Sequence, residues 1–295
     1  MMTEFSSRLA LGSVNFGLDY GVTNSAGKLS WLELKKILYA AEEAGIKIVD
    51  TAQAYGDSEA QIGALCRDER FKMVTKIGVD LQKGCLANSV SNLVEQSCNR
   101  LNQSRLYAVL LHRPEVLLGD EGSVIVRELL TLKEKGLISK IGISIYSPEI
   151  LEDLTKRVDL DIVQVPFNVF DQQICSTGWR DKLKNKGTEI HTRSVFLQGL
   201  LLMEQSNLPK FFKSNWPELF NSWYEFLKMT GSDAVQVALQ FALKQDWIDN
   251  IVVGVDSAAQ LRSLLEIERS EISQELPDLR SEDTNLINPS NWIFE

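Results

Sequence analysis

Residues 45–59 read Gly-Ile-Lys-Ile-Val-Asp-Thr-Ala-Gln-Ala-Tyr-Gly-Asp-Ser-Glu. A short run rich in β-branched residues, Ile46–Val49, leads into an acid at Asp50, and a phenol follows one loop later at Tyr55. Such a run is typical of a strand that is buried on both faces. Helical patterns lie on both sides of it, so the stretch predicts one repeat of an α/β fold.

The same alternation of strand and helix continues along the chain. The sequence predicts strands at 8–11, 46–50, 71–76, 107–111, 140–144, 161–165, 189–193 and 250–253. It predicts helices at 30–44, 59–66, 88–101, 123–135, 148–157, 172–186 and 258–267, several of them ended by glycine. Eight such units predict an α/β fold, a single (β/α)8 TIM barrel, with residues 1–295 forming one domain.

Two segments depart from this alternation of strands and helices. Between residues 194 and 232 the sequence predicts a long loop and an extra helix after the seventh strand, rich in the aromatic residues Phe211, Phe212, Trp216, Phe220, Trp223, Tyr224 and Phe226. After about residue 268 the chain is acidic and polar, and then it ends in apolar residues that include Trp292 and Phe294. We expect this C-terminal tail to dock near the substrate pocket.

Composition narrows the classes of function. The 295 residues carry 31 basic and 40 acidic side chains, a net charge of −9, which disfavours binding to nucleic acid. The four cysteines form no Cys-x-x-Cys pair, so no metal site is expected and reduced thiols in the cytoplasm are the simpler interpretation. No apolar run approaches about 18 residues and no secretory leader is recognisable, so no membrane association is expected. The oligomeric state stays open.

Four chemically active side chains cluster at the ends of the predicted strands. Asp50, Lys76 and His112 each close a strand, and Tyr55 lies one loop beyond the first of them. The C-terminal ends of strands in a parallel barrel meet on one rim, where active sites are found. An acid, an ammonium, an imidazole and a phenol together predict a site that donates a proton.

Reduction of a carbonyl by a nicotinamide needs a hydride donor, a proton donor and a group that stabilises the developing oxyanion. A phenol is a weak acid, with an ordinary pKa of about 10, and a neighbouring ammonium favours its ionised form. Tyr55, Lys76 and Asp50 could form such a relay, and His112 could orient the carbonyl through a hydrogen bond.

The stretch 45–59 resembles the signature of the aldo-keto reductase family, in which a strand ends in Asp-Thr-Ala, Tyr-Gly follows, and Ser-Glu opens a helix. The resemblance covers nearly the whole chain, with further similar stretches at 11–17, 74–76, 110–112, 140–144, 164–168 and 193–201. It implies an NADP(H)-dependent oxidoreductase that reduces a small aldehyde or ketone, including sugar-like carbonyls, to an alcohol. The family's catalytic tetrad corresponds to Asp50, Tyr55, Lys76 and His112.

The resemblance also implies a set of cofactor-binding residues: Gly12, Ser13, Ser144, Gln164, Arg193, Ser194, Phe196, Gln198, Gly199, Gly254, Ser257, Gln260 and Arg262. Ser144 and Gln164 would hold the carboxamide, and the guanidinium of Arg193 would stack where many members place an aromatic ring. Ile145 stands where many members have asparagine. NADPH is the expected cofactor, with NADH as the alternative because Arg262 is the only nearby cation and Asp256 would repel a phosphate or accept hydrogen bonds from ribose hydroxyls.

Two other classes of function remain open at this stage. The first is a cofactor-binding accessory or regulatory protein on the same fold with negligible turnover, to which the substitutions at Ile145 and Arg193 lend some weight. The second is a barrel lyase or isomerase that forms a Schiff base on Lys76, which leaves Tyr55 and His112 unexplained. His191 is expected to be a core residue inside the seventh strand.

Overall fold

Eight parallel strands close into a barrel in which β1 pairs with both β2 and β8. The structure, a computed structural model, describes residues 4–19, 21, 27–66, 70–79, 86–267 and 272–292. The strands are β1 (Leu9–Gly12), β2 (Ile48–Asp50), β3 (Lys72–Ile77), β4 (Leu106–Leu111), β5 (Ile138–Ser144), β6 (Ile162–Pro166), β7 (Glu189–Arg193) and β8 (Asn250–Gly254). The predicted (β/α)8 barrel is confirmed.

Helices surround the barrel and cover its outer face. They are α1 (Glu4–Arg8), α2 (Val14–Gly17), α3 (Trp31–Glu43), α4 (Ser58–Leu65), α5 (Leu86–Leu101), α6 (Gly122–Glu134), α7 (Leu151–Leu154), α8 (Gln173–Ser176), α9 (Trp179–Asn185), α10 (Lys210–Asn215), α11 (Pro217–Thr230), α12 (Ala234–Leu243), α13 (Ala258–Glu266) and α14 (Thr284–Ile287). None of the helices in the described part of the chain is both long and apolar enough to cross a membrane.

Helix α3 shows how the sequence specifies these elements. The side chain of Ser30 accepts a hydrogen bond from Glu33 N at 3.2 Å, which caps the helix. Its buried face presents Leu34, Ile37 and Leu38 to the core. Burial of this apolar stripe against the strands supplies most of the stability of such a helix.

The prediction of one helix over 172–186 is wrong. Two short helices, α8 and α9, occupy this segment, and Gly178 between them has a φ of +73°. This left-handed conformation is readily adopted by glycine and interrupts the helical hydrogen bonds. The helix predicted at 148–157 is also shorter, since a 3-10 turn at Pro148–Ile150 precedes α7. Four of the described helices were not predicted, namely α1, α2, α12 and α14.

A polar cluster fills the end of the barrel at which the strands begin. Tyr107 Oη donates to Glu189, with Oε1 and Oε2 both at 3.0 Å, and Lys140 forms an ion pair with the same carboxylate. His191 is fully buried, with Nε2 at 3.4 Å from Glu189 and 3.2 Å from Asn250 Nδ2. His191 is therefore a core residue, as expected from its place in the strand.

Aromatic side chains of the segment between β7 and β8 form a second apolar cluster beside the barrel. Its buried members include Phe212, Phe220 and Trp223, and the described tail, 272–292, packs on it. The rings of Trp292 and Phe212 meet edge to face with centroids 5.0 Å apart. None of the described tail residues lines the cleft presented below, and Phe294 lies outside the described residues.

Candidate active site

A cleft opens at the C-terminal ends of the strands. It is lined by thirteen of the residues predicted for the site: Gly12, Ser13, Asp50, Tyr55, His112, Ser144, Arg193, Ser194, Phe196, Gln198, Gly199, Gly254 and Gln260. Four predicted residues, Lys76, Gln164, Ser257 and Arg262, do not belong to its lining. The cleft is lined in addition by Asp256 and by Asn15 and Tyr146, and the last two were not predicted as binding residues.

The four predicted catalytic side chains lie together at one end of this cleft. Lys76 and Asp50 form a buried ion pair, with 1% and 3% of their surfaces exposed, and Lys76 Nζ also donates to Thr51 O at 3.2 Å. Lys76 Nζ lies 5.1 Å from the centroid of the Tyr55 ring. The rings of Tyr55 and His112 are nearly perpendicular, with centroids 6.1 Å apart. Phenol and imidazole thus face the cleft, and the ion pair supports them from inside the barrel.

Direct backbone contact between two loops fixes the position of Tyr55. A Cβ at Gly17 would lie 1.8 Å from Tyr55 O, and one at Gly56 would lie 2.5 Å from Gly17 O. Only glycine leaves room for this approach. Gly17 is a supporting residue that sequence reasoning missed, because the contact depends on the folding of two separate loops.

The Ser-Glu pair at the end of the signature forms a buried network below the site. Ser58 Oγ lies 2.9 Å from Ser13 Oγ and 3.1 Å from Thr51 Oγ1. Glu59 accepts hydrogen bonds from Thr75 Oγ1 and from Arg100 Nε, both at 2.6 Å. These bonds tie the loops after β1 and β2 to β3, and so they hold the strand ends that carry the site.

Burial and neighbouring charges determine the protonation states of Lys76 and His112. Burial alone lowers the pKa of Lys76, but the neighbouring Asp50 carboxylate more than reverses this, so the pKa is raised and the ammonium is charged. Burial, helped by the positive charges of Lys76 and Arg193, lowers the pKa of His112 to about 4. His112 is therefore a neutral imidazole at pH 7, able to donate one hydrogen bond and accept another.

The two residues predicted to hold a carboxamide are joined to each other and to the ion pair. Ser144 Oγ donates to Gln164 Oε1 at 3.1 Å, and Gln164 Nε2 donates to Asp50 Oδ1 at 2.7 Å. Gln164 is fully buried, while Ser144 reaches the cleft wall. In this arrangement Gln164 holds Asp50, and Ser144 is the member of the pair that faces a ligand.

Arg193 closes one side of the cleft. Its guanidinium carbon lies 4.4 Å from the centroid of the Tyr146 ring, Nη2 donates to Ile145 O at 3.0 Å, and Nη1 donates to Ser194 Oγ at 3.2 Å. The two departures from the family pattern, Ile145 and Arg193, are thus in direct contact. Tyr146, which the sequence analysis overlooked, supplies an aromatic face at this position.

The loop after β7 has an unusual backbone. Ser194, Leu197 and Gln198 have φ values of +62°, +48° and +54°, although none of them is glycine. The buried side chain of Asn168 donates from Nδ2 to Ser194 O at 3.1 Å and accepts from Phe170 N and Asp171 N, both at 2.9 Å. Asn168 therefore connects the loops after β6 and β7 and supports the strained conformation.

The other end of the cleft lies beside the start of α13. Asn15 Nδ2 donates to Val255 O at 2.6 Å and to Asp256 Oδ1 at 2.9 Å. The buried Oδ1 atom of Asn15 has no hydrogen-bond partner among the described residues. A cleft whose lining runs from the catalytic candidates Tyr55 and His112 to Asp256 and Gln260 fits a ligand with several polar groups, such as a nicotinamide dinucleotide. In the described residues no three His, Cys, Asp or Glu side chains are arranged to hold a metal ion.

Comparisons with known proteins agree with this geometry. The sequence model described as "Aldo/keto reductase family" matches residues 8–277. The chain is 24% identical over 290 residues to the aldo-keto reductase YhdN of Bacillus subtilis (strain 168), covering 89% of this chain and 85% of that protein. It is 24% identical over 286 residues to the L-glyceraldehyde 3-phosphate reductase of Escherichia coli (strain K12), with coverage of 83% and 81%.

Solved structures show the same fold. The holo form of the aldo-keto reductase AKR11C1 from Bacillus halodurans matches with a TM-score of 0.69 at 18% identity, over 90% of this chain and 88% of that one. The thermostable aldo-keto reductase Tm1743 matches with a TM-score of 0.70 at 20% identity, over 90% and 91% of the two chains. Because the family model spans most of the sequence, the chain belongs to the aldo/keto reductase family.

Proposed function

We propose that this protein reduces the carbonyl group of a small aldehyde or ketone, including sugar-like carbonyls, to an alcohol, with Tyr55 as the proton donor. The observation that supports this most directly is the arrangement of Tyr55 and His112 at the cleft with the Lys76–Asp50 ion pair buried behind them. When bound, the nicotinamide supplies the hydride. Everything else that the reaction requires comes from side chains of this chain.

Each of these side chains has one role in the proposed reaction. The Tyr55 hydroxyl gives its proton to the carbonyl oxygen as negative charge develops there. The Lys76 ammonium, 5.1 Å from the ring, stabilises the charge that the phenol then carries. Asp50 holds that ammonium in place. The neutral His112 donates a hydrogen bond to the same oxygen and so fixes the carbonyl in the reactive orientation.

The state of Lys76 argues against a Schiff-base lyase. A lysine that attacks a carbonyl must lose its proton, and enzymes achieve this by lowering the pKa of the amine. Here Asp50 raises the pKa of Lys76, and only 1% of the side chain is exposed. The amine is thus both charged and out of reach of a substrate in the cleft.

The test is Tyr55→Phe, which removes one hydroxyl and keeps the ring. We expect turnover of NADH or NADPH with a panel of small aldehydes and hydroxyaldehydes to fall by roughly 100-fold or more. Dinucleotide affinity, measured by fluorescence titration, should stay close to that of the unmodified protein. The matched control is Tyr39→Phe, which removes an equivalent hydroxyl from the exposed face of α3.

Two outcomes would contradict the proposal. Full turnover in the Tyr55→Phe variant would eliminate Tyr55 as the proton donor. Tight dinucleotide binding by the unmodified protein, with no oxidation by any carbonyl in the panel, would favour the accessory-protein interpretation instead.

A further inference from the structure

The cleft is continuous from the catalytic residues to the start of α13. Tyr55 and His112 line one end, the loop containing Ser194 and Gln198 lines the middle, and Asp256 lines the other end. A dinucleotide whose nicotinamide lies beside Tyr55 and His112 therefore reaches the start of α13 with its adenosine half. The groups at that end are in a position to distinguish a ribose 2′-hydroxyl from a 2′-phosphate.

A carboxylate is held at this end of the cleft by several hydrogen bonds. Asp256 Oδ1 accepts from Asn15 Nδ2 at 2.9 Å, and Asp256 N donates to Gln260 Oε1 at 2.6 Å. The side chain is exposed toward the cleft that it lines. A fixed carboxylate accepts hydrogen bonds from the hydroxyls of a ribose, and it repels a phosphate in the same place.

A second carboxylate already occupies the N-terminus of α13. Glu33, on α3, accepts a hydrogen bond from Ala258 N at 2.8 Å, across 225 positions of sequence. That backbone bond, together with Lys36, holds the pKa of Glu33 below its usual range, so the group is ionised. The backbone donors and the positive dipole end that would attract a phosphate are thus partly used by the protein itself.

The charge of Glu33 is balanced by Lys36, whose Nζ lies 3.2 Å from Glu33 Oε2, but in the described lining of the cleft no lysine or arginine lies beside Asp256. Within the described lining of the cleft, Arg193 is the only arginine or lysine, and it lies at the catalytic end. Arg262, on α13, is exposed, but it does not belong to the lining, and its positive charge acts on Glu33. A 2′-phosphate at this end of the cleft would therefore meet the carboxylate of Asp256, with no arginine or lysine beside it in the described lining.

We propose that Asp256 and Glu33 make this protein select the dinucleotide with a free ribose 2′-hydroxyl, so that it binds NADH in preference to NADPH. This rests on the proposed function, because it assumes that a nicotinamide dinucleotide occupies the cleft. It reverses the NADPH preference that the family resemblance implies. Asp256 acts as the direct acceptor for the ribose, and Glu33 acts by closing the helix N-terminus to phosphate.

Binding measurements on the full-length protein test this without any substrate. Fluorescence titration would give dissociation constants for NADH and NADPH, and competition would give those for adenosine 5′-monophosphate and adenosine 2′,5′-bisphosphate. We expect NADH to bind at least roughly tenfold more tightly than NADPH, and the monophosphate more tightly than the bisphosphate by a similar factor. The fragment pair isolates the adenosine end from the catalytic end.

Two variants that remove a negative charge but keep the hydrogen bond test whether Asp256 and Glu33 cause the preference for NADH. Asp256→Asn keeps an oxygen for Asn15, and Glu33→Gln keeps one for Ala258 N. The double variant should bring the two affinities to within about threefold of each other, mainly by strengthening the binding of NADPH. Glu218→Gln, which removes an exposed acid on α11 away from the cleft, should leave the preference unchanged.

The outcomes separate this inference from the proposed function. Equal or tighter binding of NADPH by the unmodified protein would overturn the inference and leave the reductase assignment intact. An unchanged preference in a folded double variant, checked by circular dichroism, would also overturn it. Absence of binding by both dinucleotides would overturn the proposed function itself.

Discussion

Gln164 donates a hydrogen bond from Nε2 to Oδ1 of Asp50 at 2.7 Å, while Lys76 holds the other oxygen of the same carboxylate. The two partners come from β6 and β3, and all three side chains are buried. Both oxygens of Asp50 are thereby satisfied away from water, which a buried carboxylate requires. Gln164, a residue expected to contact cofactor, thus also holds the buried Lys76–Asp50 ion pair in position.

Gln164→Leu should destabilise the protein, because it leaves Asp50 Oδ1 buried without a donor. We expect the free energy of unfolding, measured by urea denaturation, to fall by about 1–3 kcal/mol. Gln172→Leu serves as the control, since this half-buried amide donates to Val169 O at 3.0 Å and water can replace it. Equal stability of the Gln164→Leu variant and the unmodified protein would contradict the role assigned to Gln164.

Lys76→Met should destabilise the protein more strongly. It leaves the charge of Asp50 buried without compensation, and removal of one partner of a buried ion pair costs about 3–5 kcal/mol. Adding Asp50→Asn to this variant should recover part of the loss, because the uncompensated charge disappears. A double-mutant cycle by urea unfolding measures this coupling, and strictly additive effects of the two substitutions would show that the pair is not coupled.

The imidazole of His112 should titrate far below the usual range for histidine. Burial and nearby positive charge lower its pKa to about 4, and proton NMR can follow this using His112→Gln to identify its signal. Because the pKa of the folded state is lower than the unfolded value, His112 favours the folded state above about pH 6.5. This contribution is lost as pH falls toward 4, whereas the His112→Gln variant should not show that loss. A midpoint of 6.5 or higher would contradict the proposed environment.

Asp171 should show the opposite pH dependence. Burial raises the pKa of its carboxyl to about 7, although Gln173 N and Nε2 donate to it at 3.3 Å and 3.4 Å. A raised pKa in the folded state favours folding below the usual pKa of 3.8, and this contribution is lost as pH rises through 7. Asp171→Asn should therefore gain stability relative to the unmodified protein between pH 5 and pH 8. Asp153→Asn on the exposed face of α7 is the matched control.

Most of the barrel was predictable because buried parallel strands share one sequence pattern, a short run of β-branched and other apolar residues. All eight predicted strands are present, with ends shifted by at most two residues. One of the two largest shifts has a cause that is distant in sequence: β5 begins at Ile138, before the polar Lys140, whose ammonium is paired with Glu189. Nothing in the local sequence indicates that partner, since it lies 49 positions away.

The cluster of Asp50, Tyr55, Lys76 and His112 was predictable because three of its members lie at or next to strand ends and Tyr55 follows one of them by a short loop, and the closed barrel brings strand ends together. The supporting residues were not, because their roles depend on contacts between distant segments. Glu33 looks like an ordinary first-turn residue of α3 until α13 is seen to pack beside it. The same holds for Asn168, whose contact with Ser194 joins the loops of two strands.

The strained loop after β7 has a consequence for affinity. Ser194, Leu197 and Gln198 hold left-handed backbone angles within the folded chain itself, and Asn168 fixes the first of them. A segment that is ordered in advance loses little conformational entropy when a ligand arrives. The affinity of a ligand for this cleft should therefore depend mainly on the contacts that the ligand makes, because little free energy is lost in ordering the loop that receives it.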